Sequence, residues 1–195
     1  MVIYVIIVIG GAFNPPTLAH YEMMQSLKAR YPIARIILLP VGNYYPKPEL
    51  IAFEHRFKML ELMVQSLNYV TVSDMENTDK FKGTYDSLNH IKADNQTQDI
   101  YFAIGSDHLD TIDQWINYKL LLSTYPFIVL NRKGYMDLNK AEEKYEHIDH
   151  QFIPVDFDEP ISSTMIRQNI NAHKQHLHKD VYQYIMTHKL YQKET

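Results

Sequence analysis

The sequence predicts an α/β domain with a mainly parallel β-sheet and helices on both faces. Three observations lead to this prediction: short apolar segments alternate with longer amphipathic ones, several apolar segments contain no polar residue, and turn residues separate them. Strands of a parallel sheet are covered on both faces and therefore tend to be apolar throughout. Regular alternation of strand and helix is the pattern of such sheets.

Six segments rich in Ile, Val and aromatic residues are predicted to be strands. They are Val2–Ile9, Arg35–Leu39, Tyr69–Val72, Ile100–Ile104, Phe127–Leu130 and Phe152–Val155. The first is apolar enough to suggest a signal peptide, but it lacks a charged n-region and a small-residue cleavage site. It is also too short to span a bilayer. We therefore interpret it as a buried strand.

The intervening segments have the spacing of amphipathic helices. The predicted helices are Leu18–Arg30, Ala52–Leu67, Thr84–Lys92, His108–Leu122, Asp137–Tyr145, Ser163–Asn171 and Lys179–His188. In the second, Phe53, Phe57, Leu60, Met63 and Val64 share one face, and we expect the methionines of this helix to fill the core. A chain of 195 residues fits a single domain. We place its core at about 1–171 and a helical extension at about 172–195.

Composition narrows the classes of function. The chain has no cysteine, which excludes disulfides and thiolate metal sites and fits a cytoplasmic location. Its formal net charge of −4 argues against broad electrostatic attraction to nucleic acid. An anionic substrate must therefore be held by a few well-placed cations. We expect no membrane partner, and the possibility of a homo-oligomer stays open.

The loop after the first predicted strand has the composition of a phosphate-binding loop. This first loop reads Gly10-Gly11-Ala12-Phe13-Asn14-Pro15-Pro16-Thr17-Leu18-Ala19-His20. Two glycines at a strand end let backbone N–H groups approach a phosphate, and the following helix adds its positive N-terminal end. His20 lies in the first turn of that helix, where its ring can reach the same anion.

A second anion site is predicted far downstream, in Ile161-Ser162-Ser163-Thr164-Met165-Ile166-Arg167. Ser or Thr before an amphipathic segment is a helix-capping pattern. The exposed N–H groups, the hydroxyls and an arginine one turn into the helix together suit a phosphate.

The two motifs together resemble the signatures of the nucleotidyltransferase superfamily. In that superfamily Gly-Gly-x-Phe-[Asp/Asn]-Pro leads to [His/Thr]-x-Gly-His, and Ile-Ser-Ser-Thr-x-Ile-Arg contacts the ATP phosphates. Here Ala19 stands where glycine is usual. The resemblance implies a Rossmann-like sheet, and it implies that His20 is the catalytic residue.

The segments between the motifs are similar to those of the nicotinate-nucleotide adenylyltransferase family. Gly105-Ser106-Asp107 followed by Trp115 matches its Gly-[Ala/Ser]-Asp…Trp block. The resemblance implies that Gly105 and Asp107 lie beside the adenosine and that Trp115 stacks on the pyridine ring. The full ATP-binding set that it implies is Gly10, Gly11, Ala12, Phe13, Thr17, His20, Gly105, Asp107, Ile161, Ser162, Ser163, Thr164 and Arg167.

The same resemblance also assigns residues to the pyridine mononucleotide. They lie in a segment similar to Pro-x-Gly-Asn…Lys…His-Arg, in a segment similar to Thr-x-Asp-Thr-Leu, in the Gly-[Ala/Ser]-Asp…Trp block and at the end of the fifth predicted strand. These residues are Asn43, Lys47, Arg56, Thr84, Trp115 and Arg132. The sequence departs from the family's pattern at Tyr44-Tyr45-Pro46, where Pro-Pro-His is usual, and at Lys82-Gly83 and Lys133.

The reaction implied by the resemblance is attack of the phosphate of nicotinate mononucleotide on the α-phosphorus of ATP. We expect Mg²⁺ to accompany ATP, bound by phosphate oxygens and water, and no metal-ligand motif in the protein. The His173, His176 and His178 cluster is interpreted as a solvated connector.

Three alternatives remain at this point. The acceptor could be nicotinamide mononucleotide, or another phosphorylated molecule such as phosphopantetheine. The third alternative is not an enzyme but a catalytically degenerate nucleotide-binding regulator, which has lost catalysis. Such a protein would be expected to depart from the family's pattern, as this sequence does at Ala19, Tyr44-Tyr45-Pro46 and Lys82-Gly83.

Overall fold

The computed structural model describes residues 5–47, 49–97, 99–131, 137–157 and 162–192. Six strands form the sheet. They are β1 (Ile6–Gly11), β2 (Arg35–Pro40), β3 (Val70–Val72), β4 (Ile100–Gly105), β5 (Phe127–Asn131) and β6 (Phe152–Asp156). Every neighbouring pair is parallel, and the spatial order is β3-β2-β1-β4-β5-β6. This is the strand order of the Rossmann fold, which confirms the predicted fold class.

Seven α-helices accompany these strands in the described ranges. They are α1 (Leu18–Arg30), α2 (Phe53–Val64), α3 (Thr84–Asn95), α4 (Tyr118–Thr124), α5 (Leu138–Tyr145), α6 (Ser163–Gln168) and α7 (Lys179–Thr187). Short 3₁₀ turns lie at Ser106–His108, Ile112–Gln114 and Lys174–His176. None of the described helices is both long and apolar enough to cross a membrane.

The sheet separates two apolar cores, because successive side chains of a strand point to opposite faces. In β1, Ile7 and Ile9 pack with α1, α2, α6 and α7, whereas Ile6 and Val8 pack with α3, α4 and α5. Met59 and Met63 of α2 are fully buried, as predicted for core-filling methionines.

One predicted helix is wrong. His108–Leu122 contains two 3₁₀ turns and then α4, which begins only at Tyr118. Asn117 adopts a left-handed conformation with φ of 58°, which a continuous right-handed helix does not accommodate. The chain therefore turns before α4, and Trp115 lies in a connection rather than on a helix.

Other differences concern the ends of elements. Of the predicted first strand, Val5 lies outside β1, and residues 2–4 lie outside the described ranges. Helix α3 continues to Asn95 instead of Lys92, and α6 ends at Gln168 instead of Asn171.

Candidate active site

The candidate site lies where the strand order reverses, between β1 and β4. In a sheet of this order, ligands bind in the crevice outside the carboxyl ends of the strands at that point. The first loop leaves β1 after Gly11, and the segment containing Asp107 leaves β4 after Gly105. Because β1 and β4 are adjacent parallel strands, the two predicted ATP-binding loops open at the same crevice.

His20 is fixed in orientation by the residue that precedes α1. The backbone N–H of Thr17 donates to Nδ1 of His20 at 3.0 Å, and the Thr17 hydroxyl oxygen lies 2.8 Å from the same atom. Since Nδ1 accepts an N–H, the proton of the neutral imidazole lies on Nε2. The Phe13 ring packs against the imidazole at 5.1 Å between centroids. The ring is therefore held with Nε2 as a hydrogen-bond donor.

The first loop is supported from below by a buried arginine. Arg56 is fully buried, and its Nη1 donates to the carbonyl of Ala12 at 3.0 Å while its Nε donates to the carbonyl of Ile51 at 2.9 Å. Above it, Phe13 adopts a positive φ of 46°, unusual for a residue with a side chain. Arg56, predicted to bind the pyridine nucleotide, thus lies under the loop and braces its backbone.

The two motifs, almost 150 residues apart, meet directly. Ser163 Oγ donates to the carbonyl of Pro15 at 2.8 Å, and Arg167 Nη1 donates to the carbonyl of Asn14 at 2.7 Å. His20 contacts Thr17 in the same loop, so the imidazole and the guanidinium are attached to the two ends of one four-residue segment. The two motifs therefore lie together in the structure, as predicted.

The hydroxyls of the second motif organise α6. The Ser162 hydroxyl accepts the backbone N–H of Met165 at 3.2 Å and so caps the helix. The Thr164 hydroxyl accepts from Arg167 Nη2 at 3.3 Å, and the Glu49 carboxylate lies 3.4 Å from the same nitrogen. Glu49 is mostly exposed, so this ion pair is weak and a phosphate can replace it.

Electrostatics place Lys47 in the same cleft. Partial burial and the positive charge of Arg167 lower the pKa of the Lys47 ammonium, and the Asp107 carboxylate partly offsets them. Both charges therefore act on Lys47. Lys47, predicted on the pyridine-nucleotide side, is therefore within electrostatic range of Asp107 and Arg167, which are predicted to bind ATP.

Asn43 has a structural contact that its predicted binding role did not include. Its Oδ1 accepts the backbone N–H of Phe53, the first residue of α2, at 2.6 Å. Ala52, which precedes the helix, has no side chain able to cap it. Asn43 therefore fixes the start of α2 from the loop that carries Lys47.

Thr84 and Trp115 lie on two segments that touch each other. Gly83 precedes α3 with φ of 96°, and a Cβ at this position would lie 2.8 Å from Cβ of Ile116. Trp115 is partly buried, with its ring edge-on to Phe102 at 6.2 Å. A side chain at position 83 would thus force apart the two segments predicted to line the pyridine pocket.

A pocket beside α3 contains a carboxyl group with an altered pKa. It is lined by Met75, Glu76, Thr78, Lys80, Phe81, Lys82, Asp86, Ser87 and His90. Burial raises the pKa of Glu76 to about 7, although the hydrogen bond from the Ser87 hydroxyl at 2.8 Å opposes the shift. Glu76 is therefore partly protonated at neutral pH.

Sequence reasoning gave no role to three residues that the structure places at the first loop: Asn14, Glu49 and Tyr191. Asn14 belongs to the Gly-Gly-x-Phe-[Asp/Asn]-Pro motif, and this membership was the one sign in the sequence that it could have a role. Nothing in the local sequence marks Glu49 or Tyr191, because their contacts come from distant parts of the chain. Two predicted residues, Ile161 and Arg132, lie outside the described ranges.

A known protein family and several known proteins match this chain over most of its length. The family model described as cytidylyltransferase-like matches residues 8–169. A probable nicotinate-nucleotide adenylyltransferase of Acholeplasma laidlawii is 42% identical, with 96% of this chain and 97% of that protein covered. One of Listeria welshimeri is 31% identical, with 96% and 97% covered.

Solved structures share the fold. Plasmodium falciparum nicotinic acid mononucleotide adenylyltransferase complexed with NaAD aligns with a TM-score of 0.80 at 23% identity, over 97% of this chain and 98% of that one. The same protein complexed with APC aligns with a TM-score of 0.77 at 23% identity, over 95% and 96%.

Proposed function

Because this chain belongs to the cytidylyltransferase-like family, we propose that it transfers the adenylyl group of ATP to nicotinate mononucleotide. The products are nicotinate adenine dinucleotide and pyrophosphate, in the biosynthesis of NAD. The observation that carries this proposal is the junction of the two motifs, in which Ser163 and Arg167 bind the carbonyls of Pro15 and Asn14. The relatives at 42% and 31% identity, named for this activity, support the choice of acceptor.

The reaction needs positioning and charge neutralisation more than acid–base chemistry. The nucleophile is a phosphate oxygen of the mononucleotide, which is already anionic at neutral pH. It forms a bond to the α-phosphorus of ATP as the bond to the β-phosphate oxygen breaks, and the electron pair leaves with pyrophosphate. No proton has to be removed from the nucleophile, so alignment and electrostatic stabilisation account for catalysis.

Each hydrogen-bond donor of the candidate site has a place in this scheme. Nε2–H of His20 donates to a non-bridging oxygen of the α-phosphate, since Thr17 holds the opposite nitrogen. Arg167 exchanges the exposed carboxylate of Glu49 for the β- and γ-phosphates. Lys47 steadies the incoming phosphate. Partial burial lowers the pKa of its ammonium, but the same burial reduces the screening by water, so the charged ammonium attracts an anion more strongly there than in bulk water.

Magnesium enters this scheme as part of the substrate, MgATP. Within the described ranges no three His, Cys, Asp or Glu side chains are grouped so that they could hold a metal ion. We propose that this ion is bound by phosphate oxygens and water. We further propose that the reaction takes place in the cytoplasm.

The proposal is tested by offering the purified protein MgATP with nicotinate mononucleotide, nicotinamide mononucleotide or phosphopantetheine in parallel. Pyrophosphate release and the mass of the adenylylated product are measured. We expect nicotinate adenine dinucleotide from the first acceptor. Product with phosphopantetheine alone would refute the assignment of the acceptor, and binding of ATP without product from any acceptor would indicate a regulator.

A further inference from the structure

The end of the chain returns to the first loop. The hydroxyl of Tyr191 donates to Oδ1 of Asn14 at 2.8 Å, across a sequence separation of 177 residues. Asn14 is only 1% exposed, so this hydrogen bond is shielded from water. The helical extension is thus in direct contact with the loop proposed to hold the phosphates of ATP.

The backbone after α7 delivers Tyr191 to this position through a defined turn. Lys189 adopts a left-handed φ of 52°, and the N–H of Leu190 donates to the carbonyl of Ile185 at 3.0 Å. The N–H of Lys189 donates to the carbonyl of Met186 at 3.3 Å. This pair of bonds is a Schellman motif, which ends a helix and reverses the chain. The approach of Tyr191 to the loop is therefore built into the end of α7.

Asn14 is the point at which three segments are joined to the first loop. Its Nδ2 donates to the carbonyl of Glu49 at 2.8 Å, and its Oδ1 accepts the N–H of Ile51 at 3.4 Å as well as the Tyr191 hydroxyl. Its own carbonyl accepts from Arg167 at 2.7 Å. Because Oδ1 only accepts, the hydroxyl of Tyr191 must be the donor.

The surroundings of the hydroxyl keep it a donor. Burial raises the pKa of Tyr191 well above its ordinary value, even though the nearby positive charges of Arg167 and Arg56 lower it. Those two arginines bind the carbonyls of Asn14 and Ala12. Tyr191 therefore lies among the groups that hold the first loop from below.

We propose that Tyr191 is a positioning residue for the ATP-phosphate site, which it holds in the binding-competent shape through Asn14. This inference rests on the proposed function, since it assigns the first loop to ATP. Loss of the hydroxyl leaves the loop competent in only a fraction of molecules, and apparent affinity falls by that fraction. Saturating ATP restores the loop, so turnover is preserved.

The test replaces one hydroxyl and measures binding apart from chemistry. Tyr191→Phe keeps the ring and removes the donor. We expect the Kd of a non-hydrolysable ATP analogue, measured calorimetrically without acceptor, to rise about three- to tenfold, the range for a lost buried hydrogen bond. At saturating ATP, kcat stays within about twofold of the wild type, because the deficit is in binding.

Tyr182→Phe is the matched control. The Tyr182 hydroxyl donates to Oδ1 of Asn171 at 3.1 Å in an exposed hydrogen bond of the same extension, whose acceptor does not belong to the first loop. We expect its loss to leave the Kd of the analogue unchanged. A lower melting temperature for Tyr191→Phe with an unchanged Kd would overturn the proposal, because the contact would then serve stability alone.

A double-mutant cycle with Asn14 adds a second measurement. On an Asn14→Ala background, Tyr191→Phe has no partner to lose and should not change the Kd further. Additive effects would overturn the proposal. Failure of the proposed function is recognised separately, because a protein that binds the ATP analogue but adenylylates no acceptor still allows the effect of Tyr191 on binding to be measured.

Discussion

At the scale of single residues, the orientation of His20 determines what it can do. With Nδ1 accepting from Thr17, the ring presents Nε2–H as its donor. We predict that His20→Ala lowers pyrophosphate release by about one to two decades, since a charged hydrogen bond contributes about 1.5–3 kcal/mol. His147→Ala, an exposed histidine before β6, is the control and should retain wild-type turnover. Near-normal activity of His20→Ala would remove His20 from the mechanism.

A second prediction at this scale concerns pH and Glu76. The folded pKa of about 7 lies above the ordinary value of 4.5, so between these values the folded protein binds more protons than the unfolded chain. Stability therefore falls as pH rises through this window. Glu76→Gln keeps an acceptor for Ser87 but carries no charge. We expect it to be about 1–3 kcal/mol more stable than the wild type at about pH 8 and nearly equal at about pH 4.5.

Urea unfolding at the two pH values measures this difference. Asp86→Asn is the control, since Asp86 lines the same pocket but its side chain is 42% exposed. It should show no comparable gain at the higher pH. An equal gain for Glu76→Gln at both pH values would show that the charge is not the cause.

At the scale of elements, Asn43 links a site loop to the start of α2. We predict that Asn43→Ala destabilises the protein by about 1 kcal/mol, because the N–H of Phe53 loses its acceptor. Asn43→Asp keeps the acceptor oxygen and should retain most of the stability. Denaturant unfolding measures both variants, and an equal loss for both would contradict the capping role.

The elements also show which predictions from sequence succeed and why others fail. Strands β4 and β5 are almost entirely apolar and are found within one residue of their predicted ends, since a buried parallel strand leaves a plain local signal. The segment 108–122 has helical periodicity, yet Asn117 turns the chain there. The hydrophobic pattern of a sequence does not indicate where a single residue adopts a left-handed backbone conformation.

At the scale of the whole molecule, parallel topology explains why the site could be predicted in outline. All carboxyl ends of the strands meet at one edge of the sheet, so loops from β1 and β4 were expected to share a crevice. The sequence motifs also indicated the family of the chain, and the matching family model and the relative at 42% identity confirm it. The bracing of the first loop by Arg56 and Tyr191 could not be predicted, because those hydrogen bonds join segments far apart in the chain.

Two segments far apart in the sequence form the proposed triphosphate site, so a ligand that binds both should stabilise the whole folded protein. Because MgATP is proposed to bind both the first loop and α6, it should stabilise the folded state by about 2.7 kcal/mol at about 100 times its Kd. For a chain of 195 residues this is a rise in melting temperature of about 5–10 °C. Arg167→Ala should reduce the rise at the same ATP concentration. Adenosine, which lacks the phosphates, is the control ligand, and an equal rise with adenosine would contradict a cradle built for the triphosphate.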